Sequence, residues 1–173
     1  MIDTIRKLFQ PSTGSEEWPH IKLEAALSAK HIRFDGETID YGVVCRKKVT
    51  TEFVNHLVDM LQGSPGSNFT TYNWHVSGTG SGAESNTDTV ATFTNIDDNA
   101  SSGTQAEGAT ANIYQTVATI PYTSSKSIQE HGILNANDTA SGKLLDRSVF
   151  SAINVTDGDS IEFTYELTAN AET

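Results

Sequence analysis

Residues 160–168 alternate cleanly: Ile161, Phe163, Tyr165 and Leu167 fall on one side, Glu162, Thr164 and Glu166 on the other. A period of two marks a strand with one dry and one wet face. Two further runs, residues 111–122 and 143–154, precede it. Clusters such as Asn135-Ala136-Asn137-Asp138 and Asp157-Gly158-Asp159 separate the runs with residues that favour turns. Short strands punctuated in this way predict an antiparallel β-sandwich or jelly roll.

Upstream the pattern is more mixed. Residues 21–28 fit either a strand (Ile21, Leu23, Ala25, Leu27) or a helix. Residues 31–34 and 41–49 read as strands around the turn Asp35-Gly36-Glu37. The clearest helix covers about 50–62, where Phe53, Val54, Leu57, Val58 and Leu61 form an apolar stripe. Thr50 or Thr51 can cap its start, and Gly63 and Pro65 end it. A strand over 71–76 puts Tyr72, Trp74 and Val76 on one side and Asn73 and His75 on the other. A glycine-rich stretch, 77–84, follows, then a strand over 89–95 and a polar loop over 96–108. Ahead of all this, Ile2, Ile5, Leu8 and Phe9 sit near helical spacing until Pro11 and Ser12-Thr13-Gly14-Ser15 end the pattern. The chain therefore divides into an N-terminal arm, 1–30, and a β-sandwich body, 31–173.

Charge sharpens that division. Residues 1–48 hold eight Lys/Arg against seven Asp/Glu, and the remainder three against fifteen, for a net −11. An acidic body repels nucleic acid, whose affinity comes mainly from cationic contacts to phosphate, and repels anionic membranes. No apolar run approaches the roughly 20 residues needed to span a bilayer, and residues 1–10 lack the long apolar stretch of a secretory signal. The one cysteine, Cys45, cannot form an internal disulfide, so packing or oligomerisation must supply stability.

Candidate chemistry is sparse. There is no G-x-S-x-G motif, and the glycine-rich stretch lacks the Lys-Ser/Thr ending of a P-loop. His56 stands on the predicted helix without a second ligand at metal-binding spacing. Asp157-Gly158-Asp159 could take Ca²⁺ but lacks the spacing of an EF-hand. Glu130-His131 could be an acid/base pair. The alternative is structural, with Glu130 accepting backbone N–H groups at a bend and Gly132 turning the chain. Arg46-Lys47-Lys48, the only basic cluster, could protect an edge strand from unwanted pairing or bind a partner. Ile5, Leu8, Phe9 and Trp18 are apolar anchors on an arm too short to be a stable helix alone.

The succession Tyr72-Asn73-Trp74-His75-Val76, Gly78-Thr79-Gly80, Ile128-Gln129-Glu130-His131-Gly132-Ile133, Gly142-Lys143-Leu144-Leu145-Asp146-Arg147 and Phe150-Ser151-Ala152-Ile153-Asn154-Val155 resembles virion proteins of tailed bacteriophages. The resemblance covers roughly residues 40–168 and is to the capsid cement and decoration type, loosely shared with tail and fibre components. It implies a jelly-roll sandwich, often trimeric, with no catalytic residues and no cofactor. The expected function is a structural protein on the outer capsid surface, assembled in the host cytoplasm, with the major capsid protein and its own copies as partners. Ile5, Leu8, Phe9, Trp18, Arg46, Lys47 and Lys48 are the expected capsid contacts. A tail, neck or fibre adaptor is the alternative within the virion. A carbohydrate-binding module or glycan hydrolase with loops around Trp74 and Asp97-Asp98 is the alternative outside it.

Overall fold

A computed structural model describes residues 21–47, 49–65, 72–96 and 100–171. These form β1 (Ile21–Ile32), β2 (Thr38–Lys47), helix α1 (Thr51–Leu61), β3 (Trp74–Gly78), β4 (Ser101–Ser102), β5 (Thr104–Glu107), β6 (Ile113–Pro121), β7 (Lys126–Leu134), β8 (Leu144–Val155) and β9 (Ser160–Ala171). All pairings are antiparallel. The strands make a five-stranded sheet, β2-β1-β9-β6-β5, and a four-stranded sheet, β4-β3-β7-β8. The protein is an antiparallel β-sandwich with one helix. This strand order does not by itself establish jelly-roll connectivity.

The alternation read in the sequence is what builds the core. Ile161, Phe163 and Tyr165 of β9 are fully buried and meet Leu27 and Ala29 of β1, Ile128 and Ile133 of β7, and Leu145 and Ile153 of β8. Each large apolar side chain so buried is worth about 1.5–3 kcal/mol. Residues 21–30, placed on the arm by sequence, are strand: β1 lies between β2 and β9 and pairs with β9 along its whole length, Ile21 with Ala171 through Ile32 with Ser160. Alternating Ala25, Leu27, Ala29 and His31 supply its buried face, so strand periodicity prevails over the helical reading. Residues 1–20 lie outside the described part.

The four-stranded sheet has a second apolar layer on its outer face. Val76, Leu134 and Leu144 are covered there by Val90 and Ala100, with Trp74, Phe93 and Ile96 packed alongside. The segment over this face carries only a single 3-10 turn, Val90–Thr92, where the sequence predicts a strand over 89–95. The expected loop over 96–108 contains β4 and β5 among its described residues.

Helix α1 begins as predicted. The Thr50 hydroxyl accepts from Phe53 N (3.1 Å) and donates to the Leu144 carbonyl (2.5 Å), while Glu52 Oε2 accepts from Leu144 N (2.7 Å). These bonds fix the helix start to β8. Its stripe is split, however. Phe53 and His56 are buried, whereas Val54, Val58 and Leu61 are exposed.

Candidate attachment groove

The start of β1 and the end of β2 face the first turns of α1 across a groove of about 1000 Å³. Ile21, Leu23, Val49 and Val54 give it apolar walls, and Lys22, Arg46, Lys47, Glu24 and Glu84 line it with charge. Ile21 is 72% exposed and Val54 43%. Val54, Val58 and Leu61 stand at i, i+4 and i+7, so the groove's apolar character continues along one side of the helix.

The basic cluster belongs to this place. Arg46 and Lys47 lie on β2, an edge strand, opposite Ala26 and Ala25 of β1. Two register irregularities interrupt the β1–β2 ladder. At one of them Gly42 takes φ +60°, a left-handed conformation that glycine adopts without penalty, and its N–H donates to Asp40 Oδ1 (2.7 Å). Bulges of this kind discourage edge-to-edge pairing, so β2 has protection besides its lysines. Lys47 Nζ meets Glu84 Oε2 at 2.5 Å, and that contact raises its pKa. Arg46 is exposed and makes no ion pair among the described residues. Arg46 and Lys47 thus line the same groove as Ile21, the first described residue, although their partners along β1 are Ala26 and Ala25. Ile5, Leu8, Phe9, Trp18 and Lys48 lie outside the described residues.

Glu84 anchors the glycine-rich stretch to the sandwich. Besides Lys47 it accepts from Val149 N (2.6 Å) and, more weakly, from Cys45 Sγ (3.5 Å). Burial pushes the Cys45 thiol up to about 11, leaving it protonated and poorly nucleophilic at neutral pH. Asp146 is buried beside this cluster and accepts from Ser148 Oγ (2.9 Å); burial pushes its carboxyl up to about 7.

Glu130 and His131 make no dyad, because neighbours on a strand point to opposite faces. Glu130 lies on the outer face, where Oε1 accepts from Gly80 N and Thr94 N (2.7 Å each). Its Oε2 meets the Arg147 guanidinium at 2.7 Å, and Arg147 also reaches Asp88 Oδ2 at 3.1 Å. The structural reading holds for the backbone N–H groups but not for the bend, since Glu130 and Gly132 sit within β7. The glycines answer to the same carboxylate: a Cβ on Gly80 would stand 2.5 Å from Glu130 Oε1. This partner is 50 residues away, and no local signal reveals it.

His131 faces the inter-sheet core. Its Nε2 is 3.0 Å from His75 Nδ1, and His75 Nε2 is 3.1 Å from Thr116 Oγ1. Burial pushes His75 down to about 3 and His131 well below its ordinary value. Both rings are therefore neutral hydrogen-bonding core residues.

Asp159 is likewise committed internally. Phe34 N (2.9 Å) donates to one carboxylate oxygen, and Thr156 N (2.8 Å) and the His31 ring (3.1 Å) meet the other. Backbone donors hold its carboxyl well below the usual range and tie the β8–β9 turn to the β1–β2 turn. Trp74 packs into the outer apolar layer, and Asp97-Asp98 lies outside the described residues. Among the described residues no cluster of His, Cys, Asp and Glu fits a metal ion, and no helix is long and apolar enough to cross a membrane.

No protein-family model, curated protein or solved structure matches this chain.

Proposed function

We propose that the chain is a structural protein of a tailed-bacteriophage virion, of the capsid cement or decoration type. In this reading the sandwich body sits on the outside of the head, and the arm with the groove beside α1 attaches it to the major capsid protein. The carrying observation is the convergence of exposed apolar residues (Ile21, Val54), an Arg46 without an ion pair among the described residues, and the point where the arm enters the body. By contrast, the charges of the buried Glu130–Arg147–Asp88 group are engaged internally. A subunit that binds only the assembled lattice stabilises that lattice by mass action. Much of the affinity of a short arm ordering on its partner should come from a few buried anchors, here Ile5, Leu8, Phe9 and Trp18.

The body is proposed to act as a homotrimer, which analytical ultracentrifugation at micromolar concentration should show as about three chains; a clean monomer would rule that out. Imaging virions labelled with an antibody to this chain tests the station. Label over the head is expected, whereas label confined to the tail, neck or fibres would replace the cement reading by an adaptor.

A further inference from the structure

We infer that Glu84 is a proton-operated latch across the seam between β2 and β8, with the buried carboxyl of Asp146 as the group that senses pH. Both strands are edges, of different sheets, so no backbone ladder joins them. Glu84 bridges them instead: Oε2 meets Lys47 Nζ of β2 at 2.5 Å, and Oε1 accepts from Val149 N of β8 at 2.6 Å. Gly80 and Asp88 are fixed by Glu130 and Arg147. Of residues 81–87 between them, all but Glu84 are exposed. Its side chain can therefore swing out while the flanking stretch stays anchored.

Asp146 lies behind this bridge and is 1% exposed. Ser148 Oγ donates to its Oδ1 (2.9 Å), but Oδ2 has no partner among the described residues, and neither has the buried Tyr165 hydroxyl close by. A carboxylate there would be buried with one donor and no cation in contact, which is costly. Its surroundings do not relieve it. Glu84 is a like charge, the Cys45 thiol and Tyr165 phenol are neutral, and so is His131, opposite Ser148 on β7. Lys47 is engaged by Glu84, and Arg147 pairs with Glu130 and Asp88 on the other face of the sheet. With the latch shut, Asp146 keeps its proton up to about pH 7, whereas a solvated aspartate ionises near 3.8. The shut state thus holds a proton that the open state releases. Closure is firmest below 3.8, weakens as pH rises, and stops weakening above about 7, where both states are ionised. In between, opening should grow by up to about tenfold per pH unit.

The test needs no capsid, so its outcome is independent of the virion reading. Cys45, the only cysteine, lies against Glu84 (3.5 Å) and reports opening. Its labelling rate with a small thiosulfonate is divided, at each pH, by that of a peptide of residues 41–49, which removes the pH dependence of the thiol itself. The ratio should rise several-fold from pH 5.5 to 7 and level off above. Asp146→Asn should abolish the rise. Glu84→Gln, which removes the charge that holds Lys47, should raise the ratio at every pH. A flat ratio in the unsubstituted chain, or a rise that survives Asp146→Asn, would overturn the inference. So would a ratio falling from pH 5.5 to 6.5, the mark of global unfolding, in which His75 and His131 take up protons. If Asp146→Asn does not fold, hydrogen exchange at Val149 N–H in the unsubstituted chain carries the test. Its protection, corrected for the intrinsic rate, should drop over the same window, and constant protection would overturn the latch.

Discussion

The outer covering of the four-stranded sheet and the groove beside α1 make a useful contrast. Both use polar sequence, glycine or exposed helix, and charged residues that a hydropathy plot treats alike. Over the sheet, residues from Gly80 to Phe93 close on Glu130, Arg147 and Asp88, and all three are buried with their charges mutually paired. The guanidinium also sits 5.6 Å from the centre of the Phe93 ring. At the groove, Arg46 and the apolar residues Ile21 and Val54 remain in contact with solvent. Where charges are consumed internally, substitution should damage folding. Where charge and apolar surface remain open, it should damage binding and spare folding.

The largest effect should come from Glu130→Ala, which leaves Arg147 buried with only Asp88 and strips the Gly80 and Thr94 N–H groups of their acceptor. A loss of about 3–5 kcal/mol is expected in urea denaturation. Glu130→Gln keeps an acceptor and should cost about 1–3 kcal/mol. An unchanged midpoint for both would reduce the network to a surface ornament. Gly80→Ala drives a methyl group against the same carboxylate. It should cost about 1–3 kcal/mol, as overpacking does; a neutral result would mean the glycine-rich stretch is free to move aside.

A pH series sharpens the contrast from the core. His75 and His131 have folded-state pKa values below the ordinary 6.5. Below that pH the unfolded chain takes up protons that the folded chain refuses. Their contribution is therefore full above 6.5 and is lost as pH falls below it, for His75 down to about 3, at about 1.4 kcal/mol per pH unit while a ring is protonated only in the unfolded chain. Asp146 acts oppositely, since its raised value means the folded chain holds a proton between about 7 and 3.8 that the unfolded chain releases. Denaturation midpoints from pH 7 to 5 should fall, and fall more steeply in Asp146→Asn. A flat profile in that variant would show that the histidines are hydrated.

The smallest effect on folding belongs to the groove. Arg46→Glu should change stability by no more than about 0.5 kcal/mol, as exposed substitutions do, while measurably weakening addition to capsids. Raised salt should weaken that addition only modestly, because apolar contacts carry most of it.

Legibility in the sequence follows the range of the interactions. The period of two in β9 places Ile161, Phe163 and Tyr165 correctly because each strand residue needs only to know its own face. The helix was equally readable, with its Thr50 cap. Its stripe was not, because Val54, Val58 and Leu61 look like core until the tertiary fold turns them outward. Residues 89–95 carry strand-like composition, but Thr94 N bonds Glu130 rather than a neighbouring strand. Residues 126–134 hid a strand behind Glu130 and His131, polar residues buried by partners far along the chain. At the candidate site, Arg46 and Lys47 were visible as a cluster, while the groove they share with Ile21 and Val54 depends on the β1–β2 register and the pinning of α1 to β8.

Attachment through the arm is tested most directly by adding the full chain, and the chain lacking residues 1–20, to capsids assembled without this protein. Bound fractions are read by co-sedimentation, with circular dichroism and ultracentrifugation confirming that both proteins are folded and equally oligomeric. The full chain should decorate the capsids and the truncated chain should not. Equal decoration by a folded, truncated chain would contradict the account and move the attachment surface onto the sandwich.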